Sequence, residues 1–234
     1  MNRLPEPARR LILGVCAVGS IIAAGAAIEW RGEYPVKLAV WISIAVLAAT
    51  AKVRFHRLET AYSFGYVVAL AAVSTLPLFD AILISAVTGI VQCYWRTSKS
   101  PMGIQVLFNV FNYVISAAAS WCAFHELARI APNLGMPAYF ASAAGIFFLA
   151  NTGLICWILS ILNGSGFIEI WERSHLLIFP YYMVGAVITG LLAWYGRGNA
   201  WLLVASGPVL GLLYISARVR IGTAERKALA ANGS

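Results

Sequence analysis

Long stretches of this chain carry no Asp, Glu, Lys or Arg: residues 61–79, 81–95, 102–124 and 138–162. About 20 residues at a rise of about 1.5 Å cross a hydrocarbon core of about 30 Å, so most of these stretches approach or exceed a bilayer span. A soluble helical protein would show polar faces at the 3.6-residue period, and these stretches do not. Composition agrees. Apolar residues make up 61% of the 234 and charged residues 11%, against about 25% charged in ordinary soluble domains. Too little polar surface exists to face water on every side.

The expectation is an all-α, polytopic transmembrane bundle of about eight helices. We place the spans at 11–30, 35–52, 60–77, 79–96, 103–124, 138–162, 173–195 and 200–218. Residues 1–10 and 219–234 then form short N- and C-terminal segments flanking a bundle over 11–218. Short connections predict antiparallel neighbours. Arg9-Arg10 followed by an apolar stretch and Ala23-Ala24-Gly25-Ala26-Ala27 resembles a signal anchor, read here as a first helix. The third and fourth segments meet at Thr75-Leu76-Pro77, where proline disfavours helix in the preceding residue. A re-entrant pair at this point would leave six full spans.

Charge gives the expected orientation. With a cytoplasmic N-terminus, 13 of the 17 Lys and Arg residues fall on the cytoplasmic side; Arg31, Lys37, Arg129 and Arg197 fall opposite. Cytoplasmic loops are the cation-rich ones, so both termini are expected in the cytoplasm of a bacterial inner membrane. Trp30, Tyr94, Trp95, Trp171, Trp194 and Trp201 sit near span ends, where amphipathic rings favour the headgroup layer. The net charge of +8 is spread in clusters between apolar runs, with no aromatic-basic interleaving, so no nucleic-acid partner is expected.

Chemistry is sparse. Cys16, Cys93, Cys122 and Cys156 form no C-x-x-C pair and read as small buried residues. His56, His125 and His175 lie at span ends or in loops. His125-Glu126 opens an H-E-x-x-H pattern, but Arg129 stands where the second histidine belongs. Gly164-Ser165-Gly166 follows Asn163 and lacks the glycine of an intramembrane serine-protease loop, and no phosphate-binding G-x-x-x-x-G-K-[ST] is present. No catalysis, metal or cofactor is expected.

The most informative feature is a stripe in the fifth span. Gln105, Asn109, Asn112, Ser116 and Ser120 recur at spacings that share one helix face. Facing lipid, each unsatisfied amide would cost several kcal/mol, so the stripe must point inward. Asn151 and Thr152, midway along the sixth span, are its natural partners. Such a face either lines a ligand cavity, with Gln105, Asn109, Asn112, Ser116, Asn151 and Thr152 as the contacts, or merely fixes helix packing through interhelical hydrogen bonds. Arg54, His56, Arg57, Glu59, Tyr62 and Ser63 enter the third span as a gate, an anionic-lipid contact or an ordinary interfacial charge cluster. Asp80, in the turn before the fourth span, either lines a ligand entrance or caps that helix.

The chain also resembles a known bacterial module. The residues concerned are Ser63-Phe64, Leu76-Pro77-Leu78-Phe79-Asp80, Ala86-Val87-Thr88-Gly89-Ile90, Pro101, Val106-Leu107-Phe108-Asn109-Val110-Phe111-Asn112, Asn151-Thr152, Trp171, Gly185 and Gly190. Over about 55–195 these are similar to the multi-helix membrane domain that precedes HD-GYP or GGDEF cyclic-di-GMP signalling domains. They are more distantly similar to LytS-type sensors and to substrate-binding subunits of energy-coupling-factor transporters. The resemblance implies a membrane sensory or small-ligand-binding module, its output domain carried on a longer chain or on a separate partner. A small-molecule or lipid ligand and a cytoplasmic or membrane protein partner are the expected contacts besides the bilayer. A small-solute transporter, or a structural subunit of a membrane complex, is the alternative.

Overall fold

The computed structural model describes residues 4–32, 35–54, 61–95, 97, 100–174 and 179–196. Within them the protein is an all-α helical bundle. The helices are α1 (Glu6–Ile28), α2 (Pro35–Thr50), α3 (Gly65–Thr75), α4 (Leu78–Tyr94), α5 (Gly103–Ile130), α6 (Met136–Asn163), α7 (Phe167–Ser174) and α8 (Phe179–Gly196). Among the described residues α1, α5 and α6 are each long and apolar enough to cross a membrane. This is a membrane protein with transmembrane helices.

Local chemistry sets the boundaries. Gly135 holds φ at 79° before α6, with a proline in the first turn, and Gly164 adopts the left-handed conformation that ends it. Both positions are easy for glycine and costly for residues with a Cβ. Leu76 is extended (φ −121°, ψ 157°) because Pro77 follows, and the chain restarts at once as α4. α3 has 11 residues, so it rises only about 16 Å, roughly half a hydrocarbon core.

Two features differ from the sequence reading. The second span stops at Thr50 rather than 52, and an antiparallel ribbon follows, β1 (Lys52–Arg54) against β2 (Ala61–Ser63), with Val53 opposite Tyr62. Strands of three residues are too short to show alternation, so the connection left no signal. The expected seventh span over 173–195 corresponds to α8, described from Phe179 to Gly196, while α7 lies almost wholly ahead of it, within 167–174. The expected eighth span, 200–218, lies outside the described residues.

α5 and α6 pack against each other most extensively, with α4 on the outer side of α5 and α8 on α6. α3 sits at the centre and is buried from Gly65 through Val73. It shares one core with Trp41 and Ala45 of α2, Ile84 of α4, Tyr113 of α5, Phe147 of α6 and Tyr182 of α8. In a bilayer lipid is as apolar as leucine, so close packing rather than expulsion of water rewards these contacts. Small residues allow the approach. A Cβ on Gly65 would strike Thr88 Cγ2 and come within 3.4 Å of the Ala49 backbone.

Candidate functional site

The inner part of the stripe becomes a hydrogen-bonded clasp between three helices. Asn112, fully buried on α5, donates through Nδ2 to Asn151 Oδ1 on α6 at 2.8 Å and to the Asn151 carbonyl at 3.2 Å. Asn151 Nδ2 in turn donates to the Tyr182 hydroxyl on α8 at 3.1 Å. Ser116 donates back to the Asn112 carbonyl at 2.7 Å. One level along, Ser120 donates to the Ala143 carbonyl at 2.8 Å, a second tie from α5 to α6.

Aromatic rings close the surroundings. Tyr182 stacks on Tyr66 of α3 with centroids 4.3 Å apart, and meets Phe148 edge-on at 5.1 Å. Tyr113 packs edge-on to Phe147 at 5.7 Å. Thr152 is fully buried and donates to the Phe148 carbonyl at 2.6 Å. Its oxygen also accepts from Trp171 Nε1 of α7 at 3.3 Å. Phe148 therefore touches Trp171 of α7 together with Phe179 and Tyr182 of α8.

The rest of the expected set disperses. Gln105 is exposed and folds back so that its Oε1 accepts from the Met102 N–H at 3.0 Å, serving the start of α5. It sits in the first helical turn, where unpaired N–H groups outcompete distant partners. Asn109 is half-buried and donates to Cys93 Sγ of α4 at 3.4 Å, away from Asn151. Asp80 accepts the Trp30 indole N–H at 2.8 Å across the link after α1, while Pro77 occupies the N-cap position of α4. Arg54 stands opposite Ala61 in the ribbon. His56, Arg57, Glu59 and His175 lie outside the described residues.

The sequence reading missed Tyr182 of the clasp and Trp171 beside it. Tyr182 carried a signal, being a tyrosine within an otherwise apolar segment, and a buried phenol usually finds a partner. Trp171 was read as an interfacial anchor, and only the fold turns its indole toward Thr152. Ser63, expected within the group entering the third span, takes a structural place instead. Its hydroxyl accepts from Gln92 Nε2 of α4 and from the Gly65 N–H, pinning the ribbon to α4 and to the start of α3.

Among the described residues no group of three His, Cys, Asp or Glu side chains is placed to hold a metal ion. Among the described residues the buried polar ones are Ser, Thr and Asn, without a charged side chain. Such a set can hydrogen-bond a neutral group or couple helices; it offers no nucleophile paired with a base. Comparison with family models, curated proteins and solved structures finds no match for this chain.

Proposed function

We propose that this protein is a sensory or small-ligand-binding module of a bacterial inner membrane, without catalysis of its own, that passes a conformational change to a cytoplasmic partner. The observation that carries this reading is the clasp of Asn112, Asn151 and Tyr182, which joins α5, α6 and α8 through side-chain hydrogen bonds. Polar ties of this kind in a membrane are individually weak, about 0.6 kcal/mol each, so helices held by them can exchange between two packings. α8 is the last described helix, and the chain runs on from it to Arg218 and Arg220. The excess of Lys and Arg on one side of the spans supports cytoplasmic termini.

The clasp is internally satisfied, so in this reading it is the moving part rather than an open receptacle. The test is a spin–spin distance in proteoliposomes between a label on Cys122 and one at Val187→Cys, in a background with Cys16, Cys93 and Cys156 replaced by alanine. Two distance populations, redistributed by Asn112→Leu, are expected. A single population indifferent to that change would overturn the proposal.

One feature favours a second reading, a small-solute transporter or solitary substrate-binding subunit. α7 and α8 succeed one another along α6 and both reach Phe148, beside Asn151 and Thr152. Transporters place substrates where two half-helices meet near the membrane midplane. Uptake of solute into vesicles containing only this chain would decide for it.

A further inference from the structure

Hydrogen-bonding capacity left unspent inside a bundle marks where a polar guest is welcome, and here it does not lie in the clasp. Among the described residues, two buried side-chain atoms have no partner within the protein: Trp41 Nε1 of α2 and Ser85 Oγ of α4. Their residues are 2% and 0% exposed. An unpaired buried donor costs about 1–3 kcal/mol, so each such group asks for an explanation. Neighbouring hydroxyls show the ordinary solution, since Thr88 and Thr152 each bond the carbonyl four residues back. Ser85 does not.

Both residues lie along the same pair of helices. α2 and α4 pack together, and Trp41 and Ala45 share a core with Ala81 and Ile84, which precede Ser85 by one turn and by one residue. Gly65 meets both Ala49 and Thr88, so those positions stand at one level. Trp30, just before α2, bonds Asp80 in the first turn of α4, so the two helices run in the same direction. Counting back from Ala49 and Thr88 puts Ser85 near Ala45, with Trp41 about one turn, or about 6 Å, farther along. α3, packed against both helices, carries only Val, Ala and Leu from Val67 through Val73 and supplies no side-chain partner there.

We infer that the α2–α4 seam is a binding site for a neutral acceptor oxygen, held by the Trp41 indole N–H and the Ser85 hydroxyl. The indole can only donate, which fixes the guest as an acceptor. No charged side chain is buried among the described residues, which fixes it as neutral. Ala45 and Ala81 in the seam keep it small. Water and a small carbonyl or hydroxyl solute share this chemistry. The solute source rests on the ligand-binding reading above; the water source does not.

The experiment is indole ¹⁵N–¹H spectroscopy of the full chain in micelles, where Trp41→Phe identifies one of the eight tryptophan signals. If water is the guest, the Trp41 indole proton shows a cross-peak to water without additive, and the cross-peak weakens in Ser85→Ala. If a solute is the guest, 2-butanone shifts that resonance saturably, with weaker affinity in Ser85→Ala. An indole proton that sees neither water nor 2-butanone, together with a Ser85→Ala chain that melts higher than the parent, overturns the inference. The spin-label distance between positions 122 and 187 is read independently, so failure here leaves the functional proposal standing.

Discussion

Tyr66 occupies the space that a side chain at position 185 would need: its ring carbons Cε2 and Cζ lie 2.7 and 2.8 Å from where a Cβ on Gly185 would stand. This contact seats α8 against the central helix and brings Tyr182 over Tyr66.

Gly185→Ala is therefore expected to destabilise the bundle by about 1–3 kcal/mol, the usual cost of overpacking a dense core. Thermal unfolding in detergent measures it. Tyr66→Phe in the same chain should recover only part of the loss, because the ring carbons remain after the hydroxyl is gone. Full stability in Gly185→Ala alone would show that α8 is free to shift.

Asn112→Ala leaves Asn151 Oδ1 without its donor in a buried site and is expected to cost about 1–3 kcal/mol. The informative measurement is a double-mutant cycle with Asn151→Leu. Coupling of about 0.6 kcal/mol, and no more than about 1.7, is expected for an intramembrane hydrogen bond. Strict additivity would mean that the two amides do not act as a pair.

Ser63→Ala removes the acceptor shared by Gln92 and the Gly65 N–H. Amide hydrogen exchange at Val53 and Tyr62 should then accelerate, while exchange in α5 stays unchanged. Protection that persists at both positions would show that the ribbon holds without its clip.

Trp30→Phe keeps a ring against Phe79, which lies 5.1 Å away, and loses only the bond to Asp80. Because this pair is exposed, the expected loss is below about 1 kcal/mol. Asp80→Asn retains an acceptor oxygen and should match the parent in the same unfolding assay. A large loss in either variant would assign this end of the bundle a role beyond tethering.

The long helices were legible because a bilayer demands unbroken apolar length, and α5 and α6 satisfy that demand on their own. The face bearing Asn112 and Ser116 was legible for a similar reason, since helical period and the cost of a lipid-facing amide both point it inward. Gln105 was misread because period alone ignores the helix end, where its amide finds a nearer donor. The ribbon of Lys52–Arg54 against Ala61–Ser63 pairs only three residues a side, too short to leave a pattern. Tyr182 completes the clasp from an apolar segment in which its hydroxyl was the available signal. Trp41 and Ser85 are ordinary in sequence, and only the packing around them leaves their polar atoms without partners.

The burial of α3 bears on how the molecule is made. This helix precedes in the chain α4, α5, α6 and α8, all of which pack on it. During synthesis, which proceeds from the N-terminus, the centre enters the bilayer before most of its walls exist. Tyr66 must wait there, a phenol in hydrocarbon, until Tyr182 and Gly185 are translated more than a hundred residues later. Closure of this core therefore waits for the docking of α8, and a nascent chain released before that step would carry an open face where its core should be.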